Sequence, residues 1–229
     1  MKKKKTKKNP HCPVPGCKTK TPHLSSATTA GIHHTFSKPE TVADWVKSCI
    51  VELVQSVTSD TDSDRYFAYL TRWRQPEELY HRALYLLFVA DKAAIPHIVS
   101  GELPNSFSAM WKEVNRIVYD GKGTLDQKQM GLSGEEFTAM DTLNNSAHAS
   151  FATIVTCIDV SKNRDNWKPI IDKHITYWKQ LCVNLDYIAK GFRAGKSSAQ
   201  VLTEFKQLRN TGKETTCSNG VVPGFVVCP

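Results

Sequence analysis

The strongest constraint on the fold is a regular spacing of large side chains in the last third of the chain. Their intervals alternate between four and three residues over about seven helical turns. The positions are Trp167, Ile171, His174, Trp178, Leu181, Leu185, Ile188 and Phe192. This heptad seam predicts one long helix whose apolar stripe requires a partner helix, in the same chain or in a second copy. His174 is its polar member, and we interpret it as a core histidine that sets the register, with a role as ligand or base as the alternative.

Other stretches also carry helical periodicity. The Ser37–Glu40 stretch resembles a helix start, and the apolar positions that follow predict a helix to about Thr58 with Cys49 on its buried side. A helix that begins at Pro76 is apolar nearly all round, which predicts a central position. Further periodic runs lie at 107–118, 137–158 and 201–208, whereas 120–134 is rich in glycine and predicts a loop. The helical body is therefore expected at 39–212. A tail at 213–229 carries a predicted short hairpin around a Pro-Gly turn.

The charged residues are distributed unevenly along the chain, whose formal net charge is +8. Residues 1–38 contain nine lysines and no acidic residue, so the remaining 191 residues hold 21 basic and 22 acidic side chains. The positive field thus belongs to the first segment. No apolar stretch follows the first lysines, and the longest apolar run, 83–90, is too short to span a membrane. We expect a cytoplasmic protein without membrane insertion.

Two cysteines and four histidines lie between His11 and His34, a composition that suits a small zinc knuckle. The Cys-Pro-x-x-Gly-Cys arrangement of Cys12 and Cys17 resembles the first arm of two-Cys, two-His zinc fingers with the wider cysteine spacing, and this resemblance implies that both cysteines are ligands. The resemblance ends after six residues, because the spacing between Cys17 and the histidines that follow differs from the spacing in that family. Cys12, Cys17, His23 and either His33 or His34 form the simplest ligand set for one structural Zn²⁺, with His11 as a substitute. The alternative is a tail whose cysteines bind no metal.

Lysines surround this knuckle and are the candidate contacts to a polyanion. They are Lys2, Lys3, Lys4, Lys5, Lys7, Lys8, Lys18 and Lys20. Such a cluster neutralises phosphates and gives salt-sensitive affinity for nucleic acid without sequence preference. The alternative function of the same lysines is to keep the chain soluble. Together these features predict an all-α fold, a bundle of six or seven helices, preceded by a basic zinc-knuckle segment.

Catalytic patterns in the helical body are sparse. Arg74 and His81, six residues apart, resemble the Arg-x4-6-His motif of HEPN-type ribonucleases, which implies phosphodiester cleavage within an all-α fold. Glu78 and His81 form a single Glu-x-x-His pair, where a di-iron bundle needs two. The arginines and aromatic residues of 65–74 suit either stacking on single-stranded bases or, by their helical spacing, the core.

We therefore expect a non-enzymatic zinc-binding interaction protein. Its helical body binds a protein partner or a second copy of the chain, and its basic segment contacts nucleic acid or another polyanion. Two alternatives are a HEPN-like ribonuclease that uses Arg74 and His81, and a protein inhibitor or adaptor that binds no nucleic acid.

Overall fold

The computed structural model describes residues 38–58, 69, 72–92, 107–121, 155, 158–160 and 162–211. These residues are almost entirely helical and contain no strand, which confirms the predicted all-α class for this part of the chain. Five helices make up most of it. They are α1 (Pro39–Thr58), α2 (Gln75–Phe88), α3 (Phe107–Val118), α4 (Arg164–Arg193) and α5 (Ser198–Thr211).

The heptad seam lies on α4, as its spacing predicts. Seven of its eight side chains are buried, and Phe192 at the end is half-buried. The partner helix is in the same chain, because α1 packs along α4. Asp44 near the start of α1 pairs with Arg193 at the end of α4, so the two helices run antiparallel.

Helix α2 occupies the central position predicted for it, since it contacts each of the other four helices named above. Its buried positions include Tyr80, Ala83, Leu84 and Leu87. Buried side chains from all five helices join one hydrophobic cluster, in which Trp178 and Tyr69 are the largest fully buried members. Aromatic rings therefore form much of the centre of the molecule.

The prediction that Cys49 is buried is wrong. Its neighbour Ile50 is fully buried, whereas Cys49 is exposed. Consecutive residues of a helix are about 100° apart, so an apolar face centred on Ile50 and Val54 turns Cys49 toward solvent. The thiol of Cys182 on α4 is half-buried, and burial raises its pKa to about 11.

Several predicted features lie outside the described residues. They are the segment at 1–37, most of the glycine-rich loop at 120–134, most of the helix at 137–158 and the tail at 213–229. The predicted helix count of six or seven depends on some of these stretches. None of the described helices combines the length and the apolar character that crossing a membrane requires.

Candidate functional site

A group of hydrogen-bonded titratable side chains surrounds His174 in the first half of α4. His174 is fully buried and uses both ring nitrogens. Its Nε2 lies 2.6 Å from Oε1 of Glu77 on α2, and its Nδ1 lies 2.6 Å from the hydroxyl of Tyr69. A carboxylate only accepts hydrogen bonds, so Nε2 carries the hydrogen and donates it to Glu77. In the neutral ring, Nδ1 then accepts the Tyr69 hydroxyl hydrogen.

Aromatic rings enclose this network. The Trp178 ring centroid lies 4.8 Å from that of His174, and the Tyr69 ring stacks on Trp178 at 5.5 Å. Burial, with the nearby Glu77 as a smaller cause, raises the pKa of Tyr69 well above its ordinary value, so the hydroxyl keeps its proton. The one group of this network with access to solvent is the Glu77 side chain, which is 17% exposed.

The order of groups, hydroxyl to imidazole to carboxylate, is that of a proton relay. Tyr69 is fully buried, however, and within the described residues it has no face open to a substrate. Two hydrogen bonds connect these groups: one joins Tyr69 to His174 on α4, and the other joins His174 to Glu77 on α2. This arrangement specifies how α2 and α4 align, which agrees with the register role that the sequence predicts for His174.

His81, the second buried histidine, lies one helical turn after Glu77. Its Nδ1 is 2.7 Å from the Glu77 carbonyl oxygen. Since a carbonyl can only accept, Nδ1 carries the hydrogen and the lone pair is on Nε2. Nε2 is buried and has no hydrogen-bond partner among the described residues. Burial lowers the pKa of His81, although the Glu77 carbonyl opposes part of that shift, and so the neutral ring is favoured.

Arg74 and His81, the residues of the HEPN-like hypothesis, have different surroundings. Arg74 precedes α2, is about one-third exposed, and pairs with Glu78 at 3.5 Å. His81 is 2% exposed and faces the rings of Phe107 and Tyr119. Cleavage of RNA by this pair would require His81 to become accessible. The ribonuclease hypothesis stays a prediction, for which an RNA-cleavage assay of the full chain and of His81→Ala is the direct test.

The aromatic and arginine-rich stretch at 65–74 is described only in part. Tyr69 and Trp73 are both buried, so these two rings belong to the core, in agreement with the core interpretation of their spacing. Arg72 donates a hydrogen bond to the Ser56 hydroxyl on α1, and Arg74 lies against the face of Trp73. The described part of this stretch is therefore hydrogen-bonded to α1 and leads directly into α2.

The candidate zinc ligands and the candidate polyanion contacts lie outside the described residues. They are Cys12, Cys17, His23, His33 and His34 for the metal, and the eight lysines between Lys2 and Lys20 for the polyanion. Among the described residues, no three His, Cys, Asp or Glu side chains converge as a metal ion would require.

Sequence reasoning identified His174 but missed Glu77 and Tyr69 as its partners. A signal was present, because a histidine inside an apolar seam needs hydrogen-bond partners, and Glu77 opens a helix predicted to be central. Comparison of the chain with protein families, with curated proteins and with solved structures finds no match.

Proposed function

We propose that the chain is a binding protein in which residues 1–38 bind one zinc ion and a polyanion, with nucleic acid as the polyanion, while the helical body serves as the scaffold. The observation that carries this proposal is the charge partition. Nine lysines and no carboxylate lie in the first 38 residues, against 21 basic and 22 acidic side chains in the remainder.

Ion pairing within the helical body sharpens this contrast. Four pairs bring basic side chains to carboxylates at 2.5–2.8 Å, namely Arg193 with Asp44, Lys47 with Asp186, Lys196 with Glu204, and Lys206 with Asp120. A cation that already has a carboxylate at this distance contributes little to an attractive field for phosphates. The lysines of the first segment have no acidic neighbour in sequence until Glu40.

Zinc would give the basic segment its structure. Thiolates of Cys12 and Cys17 with the imidazoles of His23 and one of His33 or His34 form a tetrahedral donor set, and a site closed by four protein ligands is structural. Such an ion would fold the short segment and hold Lys18 and Lys20 close together. The lysines would then bind phosphates by releasing counterions, without reading a sequence.

Both histidines of the described residues, His81 and His174, are buried. This supports the function of a binding protein and not that of an enzyme with a histidine base. His174 uses both nitrogens within the core, and His81 is enclosed by aromatic rings. Either side chain would have to leave its surroundings to reach a substrate.

Salt-dependent binding to a single-stranded oligonucleotide tests the polyanion half of the proposal. Lys3, Lys4 and Lys5 are replaced by alanine in one variant. In the control, three exposed lysines of the helical body, Lys112, Lys162 and Lys179, are replaced, which removes the same charge. The slope of log K against log salt should fall in magnitude by about 2 in the first variant, since each phosphate contact contributes about 0.7. The control should keep the slope of the unmodified chain. Equal effects of the two variants would contradict the proposal.

Elemental analysis tests the zinc half. The purified chain should contain one zinc ion, and the double replacement Cys12→Ser and Cys17→Ser should remove it, whereas Cys182→Ser should not. An unmodified chain without zinc, or a double variant that keeps it, would show that the knuckle does not exist.

A further inference from the structure

Trp45 on α1 is the most exposed tryptophan of the described structure. Its side chain is 60% exposed, while Trp73, Trp167 and Trp178 are at most 7% exposed. A tryptophan turned to solvent leaves a large apolar surface uncovered, and tryptophan is enriched at the centres of protein interfaces. Trp45 therefore marks a side of α1 that the described helices do not cover.

Four more residues share that side of α1. Ser48 and Cys49 follow Trp45 by three and four residues, Glu52 follows it by seven, and Lys38 precedes it by seven. Seven residues are close to two full helical turns, so these side chains lie on one face, and all of them are exposed. We call these five residues the outer face of α1.

The outer face is distinct from the parts of α1 that have partners. The core residues Ile50 and Val54 point roughly in the opposite direction. Asp44 and Lys47 lie between the two sides and pair with residues of α4. Lys38 stands directly before α1, and its carbonyl oxygen accepts the first hydrogen bond of the helix, from the Val42 N–H. Its position is thereby fixed relative to the helix.

The two charged residues of the outer face are opposite in sign and lie at equal distances on either side of Trp45. Lys38 lies seven residues before it and Glu52 seven residues after it. Neither forms an ion pair with another described residue. Consider a second copy of α1 that runs antiparallel, with a two-fold axis passing beside Trp45. Lys38 of each copy then faces Glu52 of the other, and two equivalent ion pairs form. A face that is complementary to itself in this way is the requirement for a two-fold symmetric dimer.

We propose that the outer face of α1 is a self-association surface that pairs, antiparallel, with the same face of a second copy of this chain. The two Trp45 rings meet at the axis and bury each other, and an ion pair flanks them on either side. The small side chain of Ser48 lies next to the tryptophan and allows the helices to approach. The occupant is a second copy because the order of charges, Lys38 before Trp45 and Glu52 after it, is complementary to its own reverse.

The contact is small, because a single helix face buries less area than the roughly 800 Å² per partner of a standard interface. The dimer is therefore expected to dissociate in the micromolar range, so that its population changes with concentration. The proposal does not depend on zinc or on the lysines between Lys2 and Lys20. Its failure would not exclude the proposed polyanion binding, and the reverse also holds.

Sedimentation velocity of the full chain between micromolar and near-millimolar concentration tests the proposal. The unmodified chain should shift from monomer to dimer, and Trp45→Ala should raise the dissociation constant about tenfold. Lys38→Glu should weaken the dimer by a similar factor, because a carboxylate at position 38 of each copy would then face Glu52 of the other copy, at both symmetric positions. Glu52→Lys should do the same with two ammonium groups. The double variant Lys38→Glu and Glu52→Lys should restore the dimer, since it exchanges the charges without changing their symmetry.

Two further variants are matched controls. Lys179→Glu changes the charge as Lys38→Glu does, but on an exposed position of α4, and it should leave the dimer unchanged.

Cys49→Ser tests for a disulfide between copies. In the antiparallel arrangement the two Cys49 residues lie about 12 Å apart along the helices, too far for a disulfide. This variant should therefore dimerise like the unmodified chain, with or without a reducing agent.

All the replaced positions are exposed, and circular dichroism with thermal melting confirms that each variant is folded. A chain that stays monomeric throughout the range would overturn the proposal. A dimer that is insensitive to the single replacements would exclude this face. A double variant that is as weak as the single ones would exclude the antiparallel arrangement. Loss of the dimer on reduction or in Cys49→Ser would assign the association to a disulfide instead.

Discussion

At the scale of single residues, His174 shows what a polar group requires inside an apolar seam. Burial of an imidazole without partners costs free energy, and here both nitrogens are hydrogen-bonded, one to Glu77 and one to Tyr69. These partners come from positions 97 and 105 residues earlier in the chain. The network therefore forms only when α2 packs correctly on α4, and it penalises a shifted alignment.

Replacement of Glu77 measures this penalty. Glu77→Ala leaves Nε2–H of His174 without its acceptor in the core, so the free energy of unfolding should fall by about 1–3 kcal/mol. Glu78→Ala is the control, because the adjacent carboxylate forms only a surface pair with Arg74, and it should change stability by less than about 1 kcal/mol. Urea denaturation followed by tryptophan fluorescence gives both values. Equal losses would indicate that the helix start, and not the histidine, needs the carboxylate.

His81 should make the stability depend on pH. Burial lowers its pKa in the folded state below the ordinary value of 6.5, so the unfolded chain takes up the proton first as the pH falls. Its contribution is fully present above about pH 6.5 and is lost below it, with a slope of up to about 1.4 kcal/mol per pH unit. His81→Phe should remove this part of the slope in urea titrations between pH 7.5 and pH 5. Phe107→Leu, which alters the same aromatic surroundings, should retain it.

At the scale of helices, α4 and α5 approach closely at Gly191. An added Cβ there would lie 3.0 Å from Cγ2 of Val201, which is fully buried and has little room to move. Gly191→Ala should therefore destabilise the protein by about 1–2 kcal/mol, although alanine is the better helix former.

A double-mutant cycle separates this contact from general effects on the helix. In the Val201→Ala background the added methyl group has space, so Gly191→Ala should cost at least about 0.5 kcal/mol less than it does alone. Thermal or urea unfolding of the four chains provides the comparison. Additive costs would mean that Val201 does not limit the approach of the two helices.

Periodicity predicted the five described helices well because each carries its own apolar face. The expected end of α1 at Thr58 agrees with the structure, and the seam of α4 is buried almost throughout. The partner of that seam could not be predicted, since spacing within one helix does not specify which other helix covers it. For the same reason Glu77 and Tyr69 were missed, because their contacts with His174 depend on the alignment of distant segments. Cys49 was misplaced because one residue of offset, 100° on a helix, decides between core and solvent.

At the scale of the whole molecule, the basic segment and the helices should be energetically separate. Helix α1 begins at Pro39, so deletion of residues 1–38 removes no described helix. The formal net charge would change from +8 to −1, because nine lysines and no acid are lost. The truncated chain should pass through a cation exchanger at pH 7 that retains the full chain. Its free energy of unfolding should change by less than about 0.5 kcal/mol. Loss of cooperative unfolding would show that the segment is part of the core.

The direct passage from Lys38 into α1 also determines where the basic segment is anchored. In the proposed dimer each α1 starts six residues from the two-fold axis, so at 1.5 Å per residue the two starting points lie about 18 Å apart along the helices. Two strongly positive segments would then leave the dimer close together and repel each other. A polyanion that neutralises both would remove this repulsion and bridge the two copies. Self-association and polyanion binding would therefore strengthen each other by the same factor, as linkage requires.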